Sequence, residues 1–579
     1  MKTRRILSLI TLLPILGMVT ACNGENSISP EHQRKFRDLP EVNTLSEVTT
    51  KGEKQAPACP STGNSRVFVV PIEFKDYPAD EIGKYYNSEL TGPNSKRYAR
   101  RFTDERMGTG RGAEAAREDI RKVYFGESNE TQWESLSSFY KKSSYGALNL
   151  NGIVAPWYKP YWDWEHPTTT WATAKQWVDA YGEYAASRLA AELIEYYSDD
   201  VAKHYLDLKK EDGSDFTSGK DFLQYFDSNH DGAFDLIEVV YSAPFYATDA
   251  GNAVYDKPIN NDIFWAYCGG NSTGTENVER PTISKYAFFS YYTFVEGGYF
   301  DESKQTHRNW TCQEVSDGVP MDAHTLIHET GHGLGLKDYY DTSYSGKNPC
   351  GSVDMMDHNV GDHCAYSKAL YGWVNPTVVT GPTEVTIKSF TETGECIMVP
   401  YRGFYKDHEQ YGNSFYNEYL MLELYTPTGL NEADSKHNYA GNYPLCPSIP
   451  GVKIYHVDSR LGTFQYNGGW QFIDYTEKIV GTGDYGKVDT ATTNTDTERV
   501  DEAWLLQFLP RSSETIISMV NNDNLFQAGD GFNNGENYAD FMMNEKKGEE
   551  RDQEIHFGYK ITIKAASAES ATIEFAYAD

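Results

Sequence analysis

Residues 328–338 read His-Glu-Thr-Gly-His-Gly-Leu-Gly-Leu-Lys-Asp. His328 and His332 stand four apart, with Glu329 between them. On a helix, residues four apart share a face, so both imidazoles can reach one metal ion. Glu329 then falls beside that ion, where it can take a proton from water. Gly335 is placed to end the helix in a left-handed turn, and Asp338, three residues on, is placed to swing back as a third ligand. Three protein ligands, a water and a carboxylate base are a set suited to water-driven cleavage of an amide. Leu326, Ile327, Leu334 and Leu336 bracket the motif with apolar residues, a setting that a solvated histidine pair would not need. Asp322 stands where an N-cap belongs. The nearest Glu after His332 is the distant Glu384, which argues against a Glu ligand on the following helix. His324 reads as a first-turn histidine packing near the site and stays outside the ligand set.

Downstream, residues 351–357 read Gly-Ser-Val-Asp-Met-Met-Asp. A methionine in a tight turn there can floor a metal site with its flexible thioether. Further ordered blocks are the strand-like 65–76, the segment 139–150 with Ser144-Tyr145-Gly146, 365–368 with Gly372-Trp373, 451–458, and Leu525-Phe526 with Gly529-Asp530. Together with 328–341 and 353–357, these blocks resemble the immune inhibitor A family of secreted bacterial zinc metallopeptidases, across most of residues 65–565. The resemblance implies a zinc endopeptidase with a metzincin-like catalytic domain. It implies His328, His332 and Asp338 as zinc ligands, Glu329 as the base, and Met356 rather than Met355 as the turn methionine. Asp338 stands at the spacing where the metzincin motif carries its third histidine. Lys337 departs from the family, where Pro is expected. Relatives of this architecture place a tyrosine beyond the Met turn to stabilise the oxyanion; here His358 and Tyr366 are both left open for that part.

Residues 227–238 read Asp-Ser-Asn-His-Asp-Gly-Ala-Phe-Asp-Leu-Ile-Glu, which fits the calcium-loop pattern at every position. Asp227, Asn229 and Asp231 would give side-chain oxygens, Ala233 its carbonyl, Asp235 a direct or water-mediated contact, and Glu238 a bidentate carboxylate. Gly232 allows the sharp turn. Residues 236–241 are β-branched and strand-like, so Glu238 falls on a strand rather than on a second helix. The expected calcium is structural: it neutralises clustered carboxylates at the entry to a core strand.

At the N-terminus, Lys2, Arg4 and Arg5 precede an apolar run at 6–19, followed by Val-Thr-Ala-Cys at 19–22. This reads as a lipoprotein signal peptide over 1–21, too short for a membrane span, with Cys22 as the lipidated first mature residue. The expected location is the bacterial cell envelope, lipid-anchored to the outer membrane, periplasmic or surface-exposed. Residues 22–62 read as a polar tether or a pro-segment, within which Cys59 is a candidate blocking thiolate or, more simply, a disulfide partner or free thiol. The formal net charge of -32 makes nucleic-acid binding improbable. An exported chain permits disulfides, and Cys350 and Cys364, flanking the Met turn, are a plausible pair.

The length suits two or three domains. Residues 65–75 read as a buried strand, and 113–125, 131–142 and 174–197 as helices. With the calcium loop and the histidine helix, these compose an α+β zinc metallopeptidase domain over 63–376. From 377 to 579, short apolar or alternating runs separated by Gly, Asn and Pro read as a β-rich, sandwich-like C-terminal domain ending in a hairpin of 559–564 and 571–578. His456 and Asp458 share a strand face there and read as the polar edge of a β core. The function expected is an exported, lipid-anchored zinc endopeptidase acting on protein or glycoprotein substrates. The alternative is a non-catalytic surface protein that binds glycan or protein on a retained protease scaffold.

Overall fold

The computed structural model describes residues 27–39, 58–84, 108–161, 171–181, 185–244, 264–270, 277–341, 348–407, 415–438, 443–465, 469–472, 488–495, 503–511, 517, 519–535, 537–546 and 553–578. The signal peptide and Cys22 lie outside them. Among the described residues, no helix is long and apolar enough to cross a membrane.

Helices and sheets are mixed throughout, as an α+β chain requires. A five-stranded sheet runs in the order Leu148–Val154, Gly63–Ile72, Leu236–Tyr241, Lys285–Ser290, Tyr267–Gly270. The first four strands are parallel, and Tyr267–Gly270 lies antiparallel along the edge. Leu236–Tyr241 is buried along its whole length, because helices cover both faces, and its β-branched sequence suits that position. On one face, Phe68 meets Tyr197, Phe222 and Phe226. On the other, Leu236 lies under Gly333 of the histidine helix, His324–Gly333. The helices expected at 113–125 and 131–142 form at Ala113–Phe125 and Leu136–Ser143. Of that expected at 174–197, the described residues are helical at Ala174–Tyr181 and Ala185–Ser198.

Of the further sheets among the described residues, the two largest matter here. The larger has six strands, in the order Gln33–Lys35, Thr377–Val379, Cys396–Val399, Glu418–Tyr425, Gly451–Asp458, Leu506–Phe508. The smaller orders Thr383–Lys388, Ser570–Tyr577, Tyr559–Ala566 and Gly531–Phe532, and contains the expected terminal hairpin. Leu420, Leu422 and Ile454 of the large sheet share one hydrophobic cluster with Val385, Ile561, Ile573 and Phe575 of the small one. Their neighbours Tyr419, Met421, Tyr455 and Val457 belong instead to the main core, together with Val67, Leu326 and Met356. Glu418–Tyr425 is therefore buried on both faces, and residues on either side of 376 share a core.

Two expectations need correction. Residues 27–39, read as part of a flexible tether, are docked: Gln33–Lys35 pairs antiparallel with Thr377–Val379, and the Phe36 ring stacks on Phe415 at 3.9 Å. Phe36 and Leu39 are apolar anchors within a polar stretch, and both are buried. Nor is there a Cys350–Cys364 disulfide: both carry free thiols, and the Cys364 sulfur lies instead against the Ser367 hydroxyl, 3.7 Å away.

Candidate metal centre

The histidine helix spans His324–Gly333. Gly335 has φ +107°, a conformation that favours glycine, and the chain turns back there to bring Asp338 under the helix. The Nε2 atoms of His328 and His332 each lie 3.1 Å from Asp338 Oδ1. Among the described residues, these three form the one group of three His, Cys, Asp or Glu side chains whose ligand atoms lie within 4.8 Å of one another. Each imidazole is oriented from behind. His328 Nδ1 lies 2.8 Å from the Met355 carbonyl, and His332 Nδ1 lies 2.8 Å from the Leu336 carbonyl. Each ring is held through Nδ1 with Nε2 directed at the shared point, the orientation that a metal-binding histidine needs. Tetrahedral zinc ligands at ordinary bond lengths stand roughly 3.4 Å apart, close to the spacing found here, so the donor set fits that ion.

Charge at the centre is strongly coupled. Burial opposes ionisation of Asp338, but hydrogen bonds from His328 and His332 hold its carboxyl well below the usual range. Burial works against a proton on His332, yet Asp338 and Glu329 lift its value to about 9. Both effects express one fact: a carboxylate and two imidazoles have been gathered where a cation is favoured. Burial raises Glu329, while His328, His332 and the backbone of Cys268 hold it back. Cys268 belongs to the edge strand Tyr267–Gly270, so Glu329 faces that strand.

Met356 packs beneath the helix, its sulfur against Gly331, while Met355 supplies the carbonyl that orients His328. Behind them, Tyr140 and Tyr371 donate to the carbonyls of Ile327 and Gly331, at 2.7 and 2.9 Å. Asp354 accepts from the backbone of Met356 and Cys364, at 2.7 and 2.8 Å.

Asp322 is not the N-cap expected of it: Ala323 holds that position without a side-chain cap, and the Asp322 carboxylate, one residue before it, accepts from His324 N at 3.0 Å. His324 is clear of the ligand group. It is buried between Asp322 and Asp434, 2.9 and 3.2 Å from its ring nitrogens, and stacked on Trp133 at 4.2 Å. Although burial opposes its proton, the two carboxylates raise it to about 10. Cys59 lies at the end of the helix, its amide donating to Gly333 O at 2.9 Å, and its buried sulfur is not part of the ligand group. Of the two residues left open beyond the Met turn, His358 has its ring 6.4 Å from that of Tyr340. Tyr366 is buried against Tyr339 instead. Tyr340, two residues after Asp338, belongs to the 328–341 block but was given no role there; its ring lies 6.2 Å from that of His328.

The loop at 227–235 forms a tight turn. Asp227 accepts from the amides of Asp231 and Gly232, both at 3.0 Å, Asn229 accepts from Asp231 at 3.3 Å, and Asp231 accepts from Ala233 at 2.9 Å. Asp235 accepts from Ser228 and Arg66, at 3.0 and 2.7 Å. Glu238 is not with them, which corrects its assignment as a loop ligand. It stands on the strand Leu236–Tyr241 and turns to the histidine helix, where Thr330 Oγ1 donates to it at 3.0 Å. The Tyr124 hydroxyl lies close to it as well, and burial raises Glu238 to about 8 against the pull of Tyr124 and Thr330. His456 and Asp458 belong to a buried polar network with Glu418, Arg460 and Asn544.

Residues 53–359, a little over half of the chain, match the family model described as the immune inhibitor A peptidase M6 catalytic domain. None of the curated proteins matches the chain.

Proposed function

This chain belongs to the immune inhibitor A peptidase M6 family, and from that premise we propose a zinc-dependent endopeptidase built on His328, His332, Asp338 and Glu329. The observation that carries the proposal is the convergence of two backbone-oriented imidazoles and one carboxylate at a single point, with a half-buried glutamate beside it. His328, His332 and Asp338 would hold the ion. Zinc so held acidifies water and polarises a carbonyl. Glu329 takes the proton from the attacking water and passes it to the leaving amine nitrogen. Burial, which raises its carboxyl, brings the base nearer the pH at which it must both accept and return a proton.

Protein substrates follow from the peptidase family. An open sheet edge can take an extended peptide as an added strand. Among the described residues Tyr267–Gly270 is such an edge; it lies beside Glu329 and begins with exposed Tyr267, with exposed Trp265 just before it. Our proposal includes a structural calcium in the 227–235 loop, held by Asp227, Asn229, Asp231, Ala233 and Asp235 without Glu238. It also includes lipidation at Cys22 and anchoring in the bacterial outer membrane, which rest on the sequence of residues 1–22. We take 63–376 as the peptidase unit and the two later sheets as a β-sandwich that buttresses it; their common hydrophobic cluster supports this.

The test pairs wild type with Glu329→Ala, both lacking residues 1–22, for zinc content and cleavage of casein. About one zinc per chain in both, with cleavage in wild type alone, is expected. A folded wild type without zinc would end the proposal and favour the binding-protein alternative.

A further inference from the structure

Lys337 stands between the glycine turn and Asp338, at the position where the family resemblance leads to proline. Proline would fix φ at roughly −65° and stiffen the return of the chain. Lysine leaves that torsion free, and here its side chain supplies a tie instead. Nζ lies 2.8 Å from Asp489 Oδ1 and donates to Thr490 Oγ1 at 2.7 Å. Both members of the ion pair are sheltered, at 27% and 14% exposure. Two residues on, Tyr339 is pinned through both of its backbone groups. Its N donates to the Met356 carbonyl at 2.8 Å, and its carbonyl accepts from Asn494 Nδ2 at 3.0 Å. Asp338 is therefore held through the residue before it and the residue after it, with the segment 488–494 as a partner both times. That segment has its own footing. Val488–Thr490 pairs antiparallel with Leu461–Gln465, and Asn494 bonds both backbone groups of Leu506, at 2.7 and 3.0 Å. Leu506 opens the last strand of the six-stranded sheet. The return also touches a second ligand, because the carbonyl that orients His332 belongs to Leu336, next to Lys337.

We infer that Lys337 and Asp489 are positioning residues for the metal centre: their ion pair ties the ligand return to the 488–494 segment and so sets where the Asp338 carboxylate meets the two imidazoles. Neither belongs to the ligand group itself. This rests on the zinc site proposed above. Positioning and a plain charge effect have different signatures. If the Lys337 ammonium acted through its field alone, removing it would tighten a bound cation, and removing the Asp489 carboxylate would loosen it. A pair that holds the return in place loosens the cation whichever member is lost, and losing the second member then adds little.

The experiment uses the full mature chain carrying Glu329→Ala, which stops self-cleavage and leaves the three ligands in place. Lys337→Met, which keeps the apolar stem, Asp489→Asn and the double variant are compared with that parent. Zinc Kd is read by competition with a chromogenic chelator, ligand geometry from the visible spectrum of bound cobalt(II), and stability from melting of the metal-free chain. Each single variant should raise the zinc Kd about tenfold, the low end for loss of a group that orients a ligand. The double variant should stay within about threefold of the weaker single variant. The cobalt bands should shift or change in intensity in all three, while the metal-free melting temperature changes little. The assignment is overturned if Lys337→Met binds zinc as tightly as the parent or more tightly, if the two losses multiply in the double variant, or if the cobalt spectrum is unchanged. Should Asp489→Asn fail to fold, Lys337→Met decides alone by the same zinc and cobalt criteria. A parent that binds no zinc removes the metal site itself and this assignment with it; a parent that binds zinc no better than the variants removes the tie alone.

Discussion

Gly331 lies so close over the Met356 sulfur that a Cβ at this position would stand 2.5 Å from it. The glycine occupies the turn between His328 and His332, so the Met turn fixes the height of the two imidazoles through a contact only glycine allows. Gly331→Ala should cost about 1–3 kcal/mol through overpacking. Met356→Ala in the same chain should recover part of that loss. Denaturant unfolding of both single variants and the double one measures the coupling. Strictly additive losses would show that the two residues do not press on one another.

Removing one ligand should cost more than disturbing its support. Replacement of residues that merely orient a ligand lowers metal affinity by roughly 10–100-fold, so Asp338→Ala should lower it by more than about 100-fold. Competition with a chromogenic chelator reads this directly. Retention of wild-type zinc affinity would remove Asp338 from the ligand set.

Glu238 gives a pH-dependent prediction. Burial behind the histidine helix raises its carboxyl from 4.5 to about 8. The folded state therefore holds the proton more tightly than the unfolded state. This contribution to stability is fully present below about pH 4.5, declines as pH rises, and is lost above about pH 8. Glu238→Gln keeps the shape without the ionisation. In a Glu329→Ala background, which prevents self-cleavage, the variant should exceed its parent at pH 9 by a few kcal/mol and show a flatter profile. Parallel melting curves across pH 5–9 would refute the buried neutral carboxyl.

The contrast between Glu238 and Asp338 shows where legibility in the sequence ended. Asp338 was readable because a helix, a left-handed glycine and a short return are all local. Glu238 completed the calcium pattern in spacing, but a strand follows the loop instead of a helix. Strand alternation sends its side chain to the sheet face under Thr330. The strand-like character of 236–241 was visible, and the destination of Glu238 was not, because it depends on which helix packs over the sheet. The same limit hid Asp434, which meets His324 from 110 residues away. It also hid the docking of 27–39, where the two apolar residues that become buried, Phe36 and Leu39, were too faint a signal in a polar stretch.

Those distant contacts lead to the last prediction, that residues 58–376 will not form a stable unit alone. Three charged side chains from beyond 376 complete the metal centre's surroundings. Asp434 accepts from Gly361 N at 2.7 Å and holds buried His324. Glu423 accepts from Ala365 N at 2.7 Å, and Lys453 reaches the Val353 carbonyl at 3.5 Å and Glu423 at 3.8 Å. Cutting the chain would leave His324 with one carboxylate instead of two. It would also leave the Gly361 and Ala365 amides without these partners, and such losses cost about 1–3 kcal/mol each when the groups are buried. It would further strip the main core of Tyr419, Met421 and Tyr455. The fragment should show helical circular dichroism without a cooperative melt, bind a hydrophobic dye, and retain less than one zinc per chain. A fragment that melts cooperatively with a full complement of zinc would establish that the later sheets are an independent module, and that the contacts across residue 376 add little to the fold of the peptidase unit.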